Sequence, residues 1–408
     1  MMNITVPHAP FRRRLSNGLF VNIFPQPDYR HTFVSWSVPY GSIHDIDAAG
    51  TAHFLEHMMF YNPDKQDLKA LFHAEGASTS ALTRYDVTTY QLACTGNLIS
   101  SLELLMRTLA TPYFTREDVE RERAAIHQEL AMYEDQPSWL ALQQMLLMMY
   151  GAGHPIVKDV AGTTESVDAV TIEGLTAAYN THYQTSRMAV SVAGPVNPFE
   201  IMDLLERYPA DVQQKAFHAP FSQPAQNQEG NDNYQEIHYG LPVPLVRFGF
   251  RAGSPPTRLE DQVALMIGLE ALLGETSTFF ADCVASGLLG NGTEWDHYYR
   301  QDFAFSNACG YSVAPYELYH KVAEQCRRVT VESFSLDNLE HARMKWMSSY
   351  YADMDSLKKR CMHISEYEVI GLNYMQLGEC AMALTDEEVR VQLKRMVNPE
   401  DLQMSVVR

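Results

Sequence analysis

The sequence predicts an α+β chain of two similar units, each an antiparallel-rich sheet flanked by helices, and three observations predict it. First, strand-type alternation followed by a turn and a helix occurs twice. Thr32–Val38 (TFVSWSV) leads to Gly41-Ser42, and Leu245–Arg251 (LVRFGFR) leads to Gly253-Ser254, an offset of 212 residues. Second, a chain of 408 residues exceeds one small core and calls for two or three domains at about 150 residues each. Third, Asp211 to Asn233 is a polar run with Gln213, Gln214, Pro220, Gln223, Pro224 and Gly230 and no helical or strand period. That is the composition of a linker. The expected boundaries are an N-terminal domain at 1–210, a linker at 211–233 and a C-terminal domain at 234–408.

In the first half the expected order is a strand at 32–38, helices over 52–60 and 66–75, strands within 78–96, then helices over 98–110 and 116–134. Thr88 to Ala93 is rich in β-branched and aromatic residues, which suits a strand. The helix at 98–110 starts after the turn residue Asn97. In the second half a helix is expected over 261–273. Met145, Met148 and Met149, with Leu146 and Leu147, read as core filling. Hairpin-like strands beside helices argue for α+β layers and against a doubly wound parallel sheet.

Composition narrows the function. Lys plus Arg number 31 against 50 Asp plus Glu, a net charge of −19. Such a surface repels phosphate backbones and anionic lipid, so neither nucleic acid nor membrane is an expected partner. No apolar run approaches the roughly 18 to 20 residues that cross a bilayer. Met1 to Leu19 has basic residues at Arg12 to Arg14 with no apolar stretch behind them, unlike a signal peptide. Cys94, Cys283, Cys309, Cys326, Cys361 and Cys380 are widely spaced, the pattern of free thiols in a reducing compartment. A cytoplasmic protein is expected.

The chemistry concentrates in His53-Phe54-Leu55-Glu56-His57. On a helix, positions i and i+4 share a face, so both imidazoles can reach one ion. Glu56 lies beside them, suited to taking a proton from a water on that ion. Two imidazoles and one carboxylate would leave an open position, as in catalytic zinc sites. One Zn²⁺ per chain is expected. The third ligand should come from the acidic helix Glu117 to Glu134, with Glu120, Glu122, Glu129 and Glu134. Glu122 and Glu129 are seven apart and share a face; spacing leaves open which binds the ion and which orients a histidine. His127 points to another face, and His44, His73 and His154 carry no spacing signal.

These residues carry a family resemblance. Gly41-Ser42, Ala52 through Met58, Ala81-Leu82-Thr83 with Thr88-Thr89-Tyr90, and Glu122 through Glu129 resemble the inverzincin peptidases of the M16 family (pitrilysin, insulinase and mitochondrial processing peptidase). In length, and at Gln136-Pro137-Ser138-Trp139, His154-Pro155 and Ala161-Gly162-Thr163, the chain is similar to short bacterial M16B members. The resemblance implies duplicated M16/LuxS-like metallopeptidase domains, Glu129 as third zinc ligand, Glu122 behind a histidine and Glu56 as base. It also implies a substrate-pairing edge strand at Ser80, Ala81 and Thr83, where Ser80 replaces the family's usual Asn. Adding 212 to His53, Glu56 and His57 gives Leu265, Gly268 and Leu269, so one site per chain follows. Active relatives have an Arg and a Tyr in the C-terminal half; here no Arg or Lys occurs between Arg258 and Arg300. That points to a partner subunit supplying the pair, hence a heterodimer, with a homodimer as the other arrangement.

The expected function is a zinc endopeptidase that hydrolyses short or unfolded peptides in an enclosed chamber, in peptide maturation or leader processing. A non-catalytic M16-like scaffold is the alternative, disfavoured because His53, Glu56, His57 and Glu129 are all present. A zinc enzyme acting on a non-peptide amide or ester is a third class, since zinc chemistry is not peptide-specific.

Overall fold

In the computed structural model, residues 10–211, 233–330 and 338–408 are described. The linker expected at 211–233 lies almost wholly outside the described residues. The chain divides into two compact units, Met1–Leu130 with Lys158–Pro220 and Ala352–Tyr374, and Ala131–Val157 with Phe221–Tyr351 and Met375–Arg408.

The first unit's sheet contains β1 (Phe11–Arg14), β2 (Phe20–Pro25), β3 (Thr32–Val38), β4 (Ala77–Thr83), β5 (Thr88–Cys94) and β6 (Ala189–Gly194), in the order β1-β2-β6-β3-β5-β4. The second unit's sheet contains β7 (Tyr234–Ile237), β8 (Leu245–Arg251), β9 (Glu294–Tyr299), β10 (Ala304–Tyr311) and β11 (Gln403–Val407), in the order β7-β11-β8-β10-β9. The β2/β6 and β7/β11 pairs are parallel and the other pairs are antiparallel. Strand for strand, β2-β6-β3-β5-β4 recurs as β7-β11-β8-β10-β9 with the same directions. The duplication signalled by two Gly-Ser openings therefore extends across whole sheets, and the expected α+β class is found.

Helices up to the middle of the chain are α1 (Thr51–Met58), α2 (Leu68–Ala74), α3 (Leu98–Ala110), α4 (Arg116–Glu134), α5 (Pro137–Tyr150), α6 (Thr164–Asp168), α7 (Ile172–His182) and α8 (Pro198–Leu205). After β8 come α9 (Leu259–Leu273), α10 (Thr278–Ala285), α11 (Pro315–Arg327), α12 (Leu339–Asp355), α13 (Leu357–Val369), α14 (Leu377–Ala383) and α15 (Asp386–Met396). The helices expected from sequence are found within two residues at each end.

Each sheet is covered by a helix from the other half of the sequence. In the first unit, α13 packs on β3 and β6. Its Ser365 hydroxyl lies 2.8 Å from those of both Ser35 and Ser37, a buried polar contact that fixes the helix on the strand. In the second unit, α5 packs on β8 and β11, with Ala141 against Leu245 and Val407. Met145, Met148 and Met149 are buried, as core filling requires.

The absence of a long apolar run is corrected. Among the described residues, the 27-residue stretch Leu259–Ala285 is long and apolar enough by composition to cross a bilayer. It is interrupted between α9 and α10, and 72% of its most apolar window is buried inside the protein, as a core helix would be. All six cysteines are unpaired, four of them buried.

Candidate metal centre

The site is built on α1, and several contacts fix where that helix starts. Gly50 precedes it with φ 87°, in the left-handed region that favours glycine. A Cβ there would meet the Ala161 carbonyl at 2.5 Å, and one on Gly162 (φ 83°) would meet that of Ala49 at 2.5 Å. The two backbones thus interlock through glycine. Asp45, buried, accepts the N–H groups of Gly50 (2.8 Å) and Ala52 (3.0 Å) and the Tyr40 hydroxyl (2.9 Å), satisfying donors that a helix start leaves unpaired. Burial pushes the Asp45 carboxyl up to about 7 despite these donors.

From this start, His53 and His57 project to one side, one turn apart. Their Nε2 atoms are 3.2 Å from each other, and Glu129 Oε2 on α4 is 3.7 Å and 3.6 Å from them. These three form the one group of its kind among the described residues. Tetrahedral zinc with bonds of about 2.0–2.1 Å spaces its ligands about 3.3–3.4 Å apart, so the triangle fits the ion the sequence implies. Its chemistry agrees. Burial, with His57 adding to it, holds His53 down to about 4, so its imidazole is neutral at pH 7 and its lone pair available. Two imidazole nitrogens facing each other repel unless a proton or a cation lies between them.

The surrounding groups orient this triangle. His57 Nδ1 is 2.7 Å from Glu122 Oε1, and the Tyr61 hydroxyl donates to Glu122 Oε2 at 2.6 Å. An N–H on Nδ1 leaves Nε2 free to bind, the usual arrangement behind a ligating histidine. Burial alone would lower the pKa of His57, yet the bond to Glu122 and the carboxylates of Glu56, Glu122 and Glu129 raise it. Negative charge around the pair favours a cation. α4 is held to α1 by Arg123, whose guanidinium lies 5.6 Å from the Phe54 ring centre and donates to the Val170 carbonyl at 2.9 Å.

Glu56 is 7% exposed, and its Oε2 accepts the Thr83 hydroxyl at 2.6 Å. Burial raises its pKa, offset in part by that bond. Thr83, expected among the substrate contacts, is itself buried and directed at the carboxylate. Ser80 and Ala81 lie on β4, which is an edge of the sheet and pairs only with β5. They share with Glu56, His57, Phe60 and Tyr61 the wall of a cavity of about 640 Å³. His127 lies 3.2 Å from Asp168, away from the triangle.

The structure thus brings together His53, His57, Glu129, Glu122, Glu56 and Thr83, with Ser80 and Ala81 nearby. Sequence reasoning missed Tyr61, Asp45 and Arg123. Tyr61 stands four residues after His57, a spacing that could have found it; the other two had no local signal. At the offset of 212 from His53 and His57, Leu265 and Leu269 are buried apolar residues of α9.

Comparison with known proteins agrees. Residues 27–164 match the family described as Insulinase (Peptidase family M16), and residues 169–345 match Peptidase M16 inactive domain. An uncharacterized zinc protease of Bacillus subtilis is 27% identical over 405 residues, covering 93% of this chain and 92% of that protein. A protein of Arabidopsis thaliana named as a mitochondrial-processing peptidase subunit beta is 27% identical over 266 residues, 64% of this chain and 49% of that one. The crystal structure of an M16-like peptidase from Alicyclobacillus acidocaldarius superposes with a TM-score of 0.89 at 27% identity, covering 99% of both chains. Fold, repeat and matched segments agree: the chain belongs to peptidase family M16, the insulinase family, with its His53–His57–Glu129 triangle in the first of two units.

Proposed function

We propose that this chain is a zinc-dependent endopeptidase acting on short or unfolded peptides. The observation that carries the reading is the donor triangle with the Glu56 carboxylate beside it, next to an edge strand. His53, His57 and Glu129 would hold the ion. When bound, zinc activates water and polarises the scissile carbonyl. Glu122 keeps the His57 proton on Nδ1, so that Nε2 stays available. Glu56 receives the proton of the attacking water and passes it to the departing amine, the role of a general base and then acid. Thr83 holds that carboxylate in place. The free edge of β4 suits an extended peptide bound as an added strand through main-chain hydrogen bonds, which favours unfolded substrates over folded ones.

The reading includes a partner subunit of the same family that supplies cationic and hydroxyl groups to the oxyanion. Its support is the lack of any Arg or Lys between Arg258 and Arg300. Maturation or trimming of small peptides is the corresponding biology. The test is Glu56→Gln. Zinc content should be kept while peptide cleavage falls about 10²- to 10⁴-fold; cleavage at the unaltered rate would refute the role.

A further inference from the structure

The cavity beside Glu56 and His57 has a wall that the hydrolytic step leaves unused. Lys65, Lys69 and Arg121 line it, in a chain whose net charge is −19. The carboxylates on the same wall are already engaged. Glu122 is bonded to His57 and Tyr61, and Glu56 to Thr83. Asp67 caps α2 by accepting the Ala70 N–H at 3.1 Å, and Asp118 accepts the Thr115 hydroxyl at 2.5 Å while lying 3.4 Å from Arg121. Two of the cations are also partnered. Lys65 is 3.3 Å from Glu117, and Arg121 lies between Glu117 and Asp118. The Lys69 ammonium makes no salt bridge or side-chain hydrogen bond among the described residues, and its charge reaches Glu122 only through space. Of the three cations it is the one without an ion pair among the described residues.

We propose that this wall is a subsite for a substrate carboxylate, an Asp or Glu side chain flanking the scissile bond, and that Lys69 sets the preference. The inference rests on the peptidase reading and adds a substrate class to it. A lysine suits the task because its ammonium is a compact charge on a flexible stem, able to follow a carboxylate within a wide cavity. The cavity is open to solvent, so the preference is moderate and falls with ionic strength.

The test uses the full-length, zinc-loaded chain with Glu56→Gln, so that peptide is bound and not cut. Fluorescence anisotropy compares decapeptides in which a single Asp is scanned through the central positions with matched Asn peptides. At low salt one Asp position should bind about fivefold tighter than its Asn match. The gap should close in high salt and vanish with Lys69→Met. With Lys69→Glu, a Lys at that position should be preferred instead. Lys358→Glu, an exposed change on α13, should alter none of this. Equal binding of all Asp and Asn peptides, or a preference that survives Lys69→Met, overturns the subsite and leaves the peptidase reading standing. Failure of every peptide to bind also overturns the subsite, while the peptidase reading is decided separately by cleavage with and without Glu56→Gln.

Discussion

α1 and α9 follow the corresponding strands β3 and β8 in the two sheets, yet α1 carries His53, Glu56 and His57 where α9, 212 residues on, carries Leu265, Gly268 and Leu269. The α9 face is closed. A Cβ on Gly268 would meet Val389 and Leu393 of α15 at 2.8–3.0 Å, and Leu265 and Leu269 are buried. Each such leucine contributes about 1.5–3 kcal/mol through burial, so α9 helps hold its unit together. α1 has only eight residues and places the polar groups of His53 and Glu56 in buried positions, with His57 partly buried. A helix that short is not stable alone. It depends on Asp45, the Gly50 and Gly162 interlock and the Arg123–Phe54 contact. The repeated frame thus supplies a position for a helix; the ion site depends on side chains that only the first unit has, and on external anchors that compensate for a polar face.

The comparison breaks most completely at the triangle. His57→Ala should empty the chain of zinc and bring peptide cleavage to background, while thermal unfolding of the second unit stays unchanged by calorimetry; retained cleavage would show that α1 is as silent as α9. Glu122→Gln leaves all three ligands in place and loosens one, so zinc affinity, measured by competition with a chelating dye, should fall about 10- to 100-fold. In the second unit the effect should be on stability alone. Gly268→Leu overfills the α9–α15 contact and should cost about 1–3 kcal/mol in denaturant unfolding, with zinc per chain unaltered.

The smallest effect concerns the proton. Glu56 must be ionised to act as a base. Burial raises its pKa and the Thr83 hydroxyl lowers it. Thr83→Val removes the lowering contribution, so the acidic limb of the kcat/KM profile should move to higher pH, by about 0.7 for a hydrogen bond of about 1 kcal/mol. Thr83→Ser should restore it. A limb that stays in place would separate Thr83 from Glu56.

The sequence made the triangle's core legible because His-x-x-Glu-His and a helical period place two imidazoles on one face without help from the rest of the fold. It left Glu122 and Glu129 open, since a seven-residue spacing fixes their common face and not which turn lies opposite His53; that depends on Arg123 docking α4 against α1. Thr83 reads as a substrate contact, and its bond to Glu56 was not legible, because alternation along β4 does not reveal that its last residue turns in toward that carboxylate. The covering of each sheet by a helix from the other half had no local signature. Ser35, Ser37 and Ser365 meet across 330 residues of chain separation, and nothing in any of the three segments announces the others. The α9–α10 stretch shows the same limit in reverse: its apolarity is that of a buried helix, which length and composition do not separate from a membrane span.

The most direct measurement is zinc content by mass spectrometry of chains purified without chelators, for the unaltered protein and for Glu129→Ala. About one zinc per unaltered chain and little in the variant is expected. No zinc in the unaltered chain, or equal zinc in both, would contradict the assignment of His53, His57 and Glu129 as the ligands.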